Sequence, residues 1–188
     1  MNHLIAQITQ FIPRDQQEAG DRRIILDLIR QYGRQILTRD NPVTHITSSG
    51  LILNEVHNRF LMVHHNIYNT WTWTGGHADG DADLLAVALK EASEETGVLR
   101  IRPLTEEILS LDILPVYGHF KKGQYVSAHL HLSVAYLLIA DEGEPLAINP
   151  KENSGVQWIP VSQASQYSNE PFMLAIYKKM LDRAGIGA

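Results

Sequence analysis

Three glutamates, Glu91, Glu94 and Glu95, stand at spacings i, i+3 and i+4 in this chain of 188 residues. On an α-helix that spacing places the three carboxylates on one face within about one turn. Like charges at such spacings destabilise an isolated helix by about 0.2–0.5 kcal/mol per pair, so the pattern favours a compensating cation. Mg²⁺ takes oxygen ligands and commonly joins carboxylates to substrate phosphates. The glutamates therefore indicate a divalent-cation site, although a short charge run alone is more often a solvated helix face.

The residues before and after these glutamates match a longer motif. Trp-Thr-Gly-Gly ends at Gly76 ahead of the helix, and Thr-Gly-Val follows it at 96–98. From Gly76 the segment resembles the Nudix box, which runs Gly, five residues, Glu, seven residues, then Arg-Glu-apolar-x-Glu-Glu-x-Gly-apolar. The positions in register with that signature are Gly76, Glu91, Ala92, Glu94, Glu95, Gly97 and Val98.

Two positions of the segment depart from that signature. Ala82 stands where the first Glu is expected, and Lys90 stands where the Arg is expected. Asp79, Asp81 and Asp83 flank Ala82 and are candidates to replace the missing carboxylate. Lys90 keeps the positive charge but not the planar fork that holds a carboxylate with two hydrogen bonds, so we expect it to orient a neighbouring glutamate.

The resemblance to the Nudix (MutT-like) hydrolase family implies an activity and a cofactor. Its members cleave the pyrophosphate linkage of a nucleoside diphosphate joined to another group, with Mg²⁺ or Mn²⁺. The resemblance implies that Glu91, Glu94 and Glu95 are catalytic and bind the cation, together with the backbone carbonyl of Gly75. Cations on phosphate oxygens neutralise developing charge and lower the pKa of an attacking water. Positioning and electrostatics supply most of the catalysis in phosphoryl chemistry.

The general base is a separate question. Glu152, in the loop segment Pro-Lys-Glu-Asn-Ser-Gly, stands where a loop glutamate of the family often stands. The resemblance leaves the base open between a residue of the box and one of a later loop. Glu152 is the loop candidate, and the competing interpretation, an ordinary surface glutamate, has at least equal weight.

Histidine and tryptophan supply the candidate substrate-binding residues. His129 and His131 alternate along an expected strand, so they share a face that could line the pocket. As a pair they do not make a zinc site, which needs further ligands. His77 follows the glycines of the box and could contact phosphate, while Trp73, and with it Trp71, could stack on a base. The competing interpretations are exposed polar residues for the histidines and core packing for the tryptophans.

Composition limits the functional classes. The formal net charge of -5 argues against an extended nucleic-acid surface or an anionic membrane surface, because both need clustered Lys and Arg. The absence of Cys excludes a disulfide and a thiolate zinc site. It also disfavours isopentenyl diphosphate isomerase-like chemistry, which shares the fold but normally depends on a catalytic cysteine. The amino terminus does not read as a signal peptide, and no apolar run reaches membrane-spanning length. We therefore expect a cytoplasmic protein with no membrane partner and a small-molecule diphosphate as substrate.

Residues 1–42 are predicted to be a helical extension. Leu4, Ile8 and Phe11 follow helical spacing up to Pro13, and a second apolar pattern runs from Ile24 to Leu37. The segment 40–42, Asp-Asn-Pro, is a turn signal that marks the boundary. We expect this extension to pack on the domain or to form a homodimer contact, with a substrate-gating role as the weaker alternative.

Residues 43–188 are predicted to form the catalytic domain, an α/β fold. The resemblance implies the Nudix-type α/β/α sandwich with a mixed β-sheet, and the pattern of elements agrees with it. Asp81 or Asp83 is expected to cap the helix that carries the glutamates. The predicted strands are Thr44–Leu53, Arg59–His65, Ile108–Val116, Tyr125–Ile139 and Val156–Ile159, and the predicted last helix is Pro171–Asp182.

Two functional classes stay open from the sequence. The first is an active, metal-dependent pyrophosphohydrolase, favoured by the survival of all three glutamates. The second is a catalytically weak or silent Nudix-fold ligand sensor or regulator, to which Ala82 and Lys90 lend weight. The box indicates a diphosphate substrate and a metal ion. The loops outside it select the rest of the substrate, and their sequences contain no recognisable signature.

Overall fold

The computed structural model describes residues 1–121 and 123–186. Its helices are α1 (Asn2–Gln10), α2 (Gln16–Tyr32), α3 (Leu84–Thr96), α4 (Ala164–Tyr167) and α5 (Pro171–Arg183), with 3₁₀ turns at Gly33–Leu37 and Val161–Gln163. None of the helices in the described residues is both long enough and apolar enough to cross a bilayer.

The strands form one large mixed sheet and a small hairpin. They are β1 (Thr44–Asn54), β2 (Arg59–His65), β3 (Thr70–Thr72), β4 (Thr74–His77), β5 (Ile101–Pro103), β6 (Ser110–Val116), β7 (His119–Lys121), β8 (Gln124–Val126), β9 (His129–Ala140) and β10 (Asn153–Pro160). The central order is β10-β2-β1-β9-β5, while β3 pairs with β2, β4 with β1 and β6 with β9. Strands β1 and β9 are parallel over their length, and the other pairs of the sheet are antiparallel.

Alternation along the central strands divides the core into two layers. On β1, Ile52 packs with Ile25 of α2 and Ala88 of α3 on one face. The next residue, Leu53, packs with Tyr177 of α5 on the other face. Both faces of the sheet are therefore covered by helices, because successive strand side chains point to opposite sides. The predicted α/β/α sandwich with a mixed sheet is confirmed.

A buried ion-pair network, formed by Glu18, Asp112, Lys179 and Arg183, attaches helix α2 to the sandwich. Arg183 Nη2 lies 2.5 Å from Glu18 Oε2, and Lys179 Nζ lies 3.3 Å from Glu18 Oε1. Lys179 Nζ also lies 2.5 Å from Asp112 Oδ1. The network joins α2, β6 and α5, so the amino-terminal helices pack on the domain.

Three element predictions were wrong in detail. The expected strand from Tyr125 to Ile139 is interrupted after Val126, because β8 pairs with β7 in the hairpin while β9 pairs with β1 and β6. The second helix becomes a 3₁₀ turn at Gly33, whose φ of 57° cannot continue an α-helix. Strand β5 was not predicted at all, and it is only three residues long.

Candidate functional site

A cavity of about 640 Å³ opens on the edge of the sheet where β4 leads toward α3. It is lined from β1, β4, α3, β9, the loop before β10 and the start of α5. The polar and charged residues that line it include Arg39, Thr47, Ser49, His77, Asp79, Glu91, Glu95, His131, Ser133, Lys151, Glu152 and Glu170. Two glutamates of the box and the loop glutamate therefore face one space.

Helix α3 has a capping residue at each end. The side chain of Asp83 accepts a hydrogen bond from the Ala86 N–H at 3.1 Å, which confirms the expected N-cap. Gly97 ends the helix with φ 75°, a left-handed conformation that glycine adopts without strain. Ala88 and Ala92 are fully buried against the sheet, and this orientation turns the glutamate face toward the cavity.

Glu95 is a buried carboxylate beside the glycine turn. Its exposure is 3%, and its Oε2 accepts the Gly75 N–H at 3.0 Å. Burial raises the pKa of Glu95 to about 8; the Gly75 hydrogen bond opposes that rise, and the charges of Glu152, Glu91 and Glu94 add to it. Within the described part of the chain no Lys or Arg forms an ion pair with Glu95. Its negative charge therefore needs a proton or an external cation.

Glu91 lies directly over Gly76. A Cβ built at Gly76 would overlap the Glu91 carboxyl group, with Oε2 at 2.7 Å and Oε1 at 2.8 Å, so a side chain at this position would displace that carboxyl group. Burial raises the pKa of Glu91; Lys90 lowers it, and Glu152 and Glu94 raise it further. The leading glycine of the box is thus explained by the carboxylate that it accommodates.

Glu94 is placed differently from the other two. Its side chain is 53% exposed, and it is not among the described residues that line the cavity. Lys90 Nζ lies 3.4 Å from Glu94 Oε2 and 3.5 Å from Glu91 Oε1. Lys90 therefore bridges two glutamates of the box.

Glu152 is held beside the helix through its neighbour. The Asn153 side chain is buried, and its Nδ2 donates to the Glu95 backbone carbonyl at 2.9 Å. The Glu152 carbonyl accepts the Asn66 N–H at 2.9 Å. The charge of Glu152 raises the pKa of both Glu91 and Glu95, so the three carboxylates form one electrostatic group.

The loop around Ala82 does not supply a replacement carboxylate. Asp79 accepts two hydrogen bonds from Arg39, at 2.9 and 2.8 Å. Asp81 accepts the Asp83 N–H at 2.9 Å, and Asp83 caps α3. Ala82 itself packs against the core. The three aspartates next to Ala82 are therefore engaged in local structure.

Histidines gather at one wall of the cavity. His77 and His131 line it, with ring centroids 5.0 Å apart. The sequence did not single out His45, whose ring lies 4.9 Å from His77 and 5.1 Å from His131. His129 contacts His45 and His131 but is not among the lining residues described. The pKa of His131 is lowered to about 2, chiefly by burial and in addition by the neighbouring His77, His45, His129 and His119.

The two tryptophans have unequal positions. Trp73 lines the cavity although it is only 8% exposed, and its backbone N–H donates to Tyr177 Oη at 3.2 Å. Trp71 packs edge-on against His64 and Tyr167 and is not among the described lining residues. Most of the Trp73 surface thus belongs to the core.

The lining residues that the sequence did not indicate include four with charged or aromatic side chains. Arg39 and Lys151 bring positive charge, while Tyr68 and Phe172 bring aromatic surface. Tyr68 stacks on His65 with ring centroids 4.4 Å apart and an interplanar angle of 27°. These residues come from four separate segments, so no spacing in the sequence could have grouped them.

The donor set at the box suits a hard divalent cation. Carboxylate and carbonyl oxygens are the ligands preferred by Mg²⁺ and Mn²⁺. The buried Glu95, with its raised pKa and no Lys or Arg partner among the described residues, is the observation that fits such an ion. Glu91 and the exposed Glu94 stand within the same electrostatic group.

Comparison with known proteins gives a family match over most of the chain. The NUDIX domain profile matches residues 44–182, which begin at the first residue of β1 and end in α5. No curated protein matches the chain.

Several solved structures share the architecture. An Ap4A hydrolase of C. elegans, in a binary complex, superposes with a TM-score of 0.56 at 16% identity, covering 74% of this chain and 97% of that one. The Nudix hydrolase RenU of M. smegmatis gives a TM-score of 0.54 at 14% identity, covering 75% and 86%. The NUDIX domain of Shewanella oneidensis NrtR, complexed with ADP ribose, gives 0.52 at 16% identity, covering 74% and 87%. At these identities the likeness establishes the fold.

Proposed function

The chain belongs to the Nudix family, and from that premise we propose that it is a metal-dependent hydrolase acting on phosphoanhydride bonds. Its substrate is a nucleoside diphosphate linked to another group, and it cleaves the pyrophosphate linkage. The observation that carries this proposal is the convergence of Glu91, Glu95 and Glu152 on one cavity. Glu95 is buried among them, and no Lys or Arg of the described residues pairs with it, which is costly for a carboxylate with a purely structural role.

The cation is Mg²⁺ or Mn²⁺, held by Glu91, Glu94, Glu95 and the backbone carbonyl of Gly75. When bound, it neutralises charge on the phosphate oxygens and acidifies an attacking water. Glu95 contributes a full negative charge once its proton is displaced, and its Gly75 hydrogen bond fixes the orientation of the carboxylate. Lys90 holds Glu91 and Glu94 in place from the solvent side.

Glu152 acts as the general base in this proposal. It accepts a proton from the attacking water at its carboxylate, which is solvent-exposed and lines the cavity. The hydrogen bond from Asn153 to the Glu95 carbonyl keeps the Glu152 loop beside α3. A base must stand within hydrogen-bond reach of the proton that it removes, and this contact fixes the loop near the box.

The cavity wall divides into substrate-binding groups of different chemistry. Arg39 and Lys151 offer positive charge to the phosphates. His77 and His131, with His129 beside them, bind the phosphates of the substrate. Trp73 contacts its nucleobase. Tyr68 and Phe172 add aromatic surface on which a nucleobase can stack.

The structural neighbours suggest the first substrates to assay. One of them is an Ap4A hydrolase, and another was crystallised with ADP ribose. Both compounds contain nucleoside diphosphates joined to a further group. Dinucleoside polyphosphates and nucleotide sugars are therefore the first probes for this chain.

The test is a turnover screen with Mg²⁺ or Mn²⁺ over those two substrate classes. Glu95→Gln and Glu152→Gln should each lower kcat by at least about 100-fold. Glu106→Gln, at an exposed glutamate outside the cavity, is the matched control and should keep native turnover. Native rates in both site variants would remove Glu95 and Glu152 from the mechanism.

A second candidate function is a catalytically weak or silent ligand sensor. It is favoured by Ala82, because the aspartates around it already accept hydrogen bonds from Arg39 and from backbone N–H groups of the loop and of α3. In that case calorimetry would detect binding of ADP ribose or a dinucleoside polyphosphate, while no product would form with either cation. Product formation at enzymatic rates would exclude the sensor.

A cytoplasmic location and a homodimer remain predictions of the sequence. Size-exclusion chromatography with light scattering would measure the oligomeric state directly, with a mass near twice the 21.2 kDa of one chain expected for a dimer.

A further inference from the structure

Three histidines from different strands meet at the wall of the cavity. His45 lies on β1, His77 at the end of β4 and His131 on β9. One ligand nitrogen from each lies within 4.8 Å of the other two. Strand register holds them together: His45 pairs with His131 across β1 and β9, and His77 pairs with Thr47 across β1 and β4. The cluster is therefore built into the sheet.

Two histidines of this cluster, His45 and His131, each have a buried ring nitrogen available for a ligand. His45 Nδ1 lies 3.3 Å from the Asn41 carbonyl oxygen, which can only accept, so the ring proton is on Nδ1 and Nε2 carries the lone pair. His45 Nε2 is buried without a hydrogen-bond partner among the residues described, and His131 Nε2 is in the same condition. Buried polar atoms in folded proteins normally have partners. A ring that donates to a carbonyl through one nitrogen is also the usual arrangement of a metal-binding histidine.

We propose that His45, His77 and His131 form a second metal site, which takes a late first-row transition-metal ion such as Zn²⁺. Neutral imidazole is a preferred ligand of Zn²⁺, Cu²⁺ and Ni²⁺, whereas Mg²⁺ takes oxygen ligands. The site is therefore chemically distinct from the carboxylates of α3, and it does not depend on the proposed hydrolysis.

The geometry of the cluster fits a three-histidine site with an open position. Tetrahedral Zn²⁺ with bonds of 2.0–2.1 Å places its ligand nitrogens about 3.4 Å apart. The separations of up to 4.8 Å would close through side-chain rotations that move each ring by about 1 Å. His77 and His131 line the cavity, so the fourth position faces it and is available to water or to an anionic oxygen.

The experiment measures metal retention by the full chain. Native protein is loaded with Zn²⁺, dialysed against metal-free buffer and analysed by elemental mass spectrometry, with about one Zn²⁺ per chain expected. His77→Gln and His131→Gln should each weaken Zn²⁺ binding by more than about 100-fold, because loss of an outer partner alone costs 10–100-fold. His3→Gln, at an exposed histidine of α1, is the matched control and should retain the ion.

A second measurement distinguishes metal bound by the three histidines from metal bound by the carboxylates of α3. Co²⁺ bound by imidazoles in a tetrahedral site absorbs visible light strongly, so the native chain should develop that band and His77→Gln should not. Glu91→Gln should keep both the band and the Zn²⁺. Retention of Zn²⁺ by both histidine variants, or its loss from Glu91→Gln alone, overturns the proposal. Circular dichroism of each variant confirms that it is folded, and turnover with Mg²⁺ tests the proposed hydrolase independently.

Discussion

Two groups of carboxylates in this protein, each with a buried glutamate, differ in whether that glutamate contacts a Lys or Arg side chain. In the buried ion-pair network, Glu18 is fully buried and contacts Arg183 and Lys179. At the cavity, Glu95 is almost as deeply buried, but its one described hydrogen bond comes from the Gly75 N–H. The nearest cation of the box, Lys90, contacts Glu91 and Glu94 instead.

The comparison shows what burial alone does to a carboxylate and what an internal cation changes. Burial raises the pKa of Glu18, but hydrogen bonds from Arg183 and the Arg14 N–H and the charges of Lys179 and Arg183 outweigh it, so the net shift is downward. Burial likewise raises the pKa of Glu95, and there the neighbouring carboxylates reinforce the rise. The first group has its cations within the chain, whereas Glu95 in the second is neutralised by a proton or, as proposed, by a cation from solution.

Removing a charge from the complete group should have the largest effect on stability. Glu18→Gln leaves Arg183 largely buried without its carboxylate, and Lys179 with Asp112 alone, so the free energy of unfolding should fall by about 3–5 kcal/mol. Urea denaturation of the variant and of Glu107→Gln, at an exposed glutamate, measures this difference. If Glu18→Gln unfolds at the native urea concentration, the network does not stabilise the fold.

The same substitution at the cavity should affect activity and spare stability. Glu95→Gln should lower kcat by at least about 100-fold, because a ligand for the cation is lost. Its metal-free stability at pH 8 should be no lower than that of the native chain, since ionised Glu95 is unfavourable when buried. Kinetics and urea denaturation on one preparation test both statements. A destabilisation as large as that of Glu18→Gln would show that Glu95 is a structural residue.

The hydrogen bond that joins the Glu152 loop to α3 should have an intermediate effect. Asn153→Ala removes the donor to the buried Glu95 carbonyl, so stability should fall by about 1–3 kcal/mol. Turnover should also fall, because Glu152 is no longer held beside the box. Asn2→Ala, at an exposed asparagine of α1, is the control. Native turnover in a destabilised Asn153→Ala would separate the loop from the chemistry.

The pH dependence of stability should differ in sign between the two groups. The pKa of Glu95 rises from 4.5 to about 8 on folding, so between those values the unfolded chain loses a proton that the folded chain keeps. Metal-free stability from Glu95 therefore falls as pH rises, by at most about 1.4 kcal/mol between pH 6 and pH 7. The contribution of Glu18, whose pKa is lowered, is lost as pH falls below its unfolded pKa.

Urea midpoints at pH 6 and pH 7 for the native chain and Glu95→Gln measure the Glu95 contribution. The difference between the two chains isolates it, because buried His131 has the opposite dependence and is present in both. Added Mg²⁺ should reduce the native pH dependence, since it stabilises the ionised carboxylate. An identical pH dependence of both chains would show that Glu95 ionises normally.

The helix that carries the glutamates was predictable because the residues that define it are neighbours in the sequence. The spacing of Glu91, Glu94 and Glu95 defines a helix face, and Asp83 and Gly97 define its ends. The α/β/α order implied by the resemblance agreed with the sequence, since consecutive apolar residues on β1 and β9 bury both faces of the sheet. The assignment of these glutamates as metal ligands remains a prediction.

The rest of the site depended on contacts between distant segments. Nothing in the sequence indicated that His45 belongs to the histidine cluster. Its approach to His77 and His131 depends on which strands pair and in which register. Arg39, Tyr68 and Lys151 reach the cavity from loops whose positions no spacing encodes. The sequence also did not distinguish exposed Glu94 from buried Glu95, although they are adjacent.

By itself the sequence determined the box, its helix, the caps and the layered fold, because hydrophobic periodicity and capping act over a few residues. Tertiary structure alone decided which carboxylates are buried, which of them have a cation, and that three histidines share one wall. Those properties arise from desolvation and strand register, which depend on residues far apart in the chain. Glu18 and Glu95 are the same residue type, and only their surroundings make one a part of the scaffold and the other a candidate for catalysis.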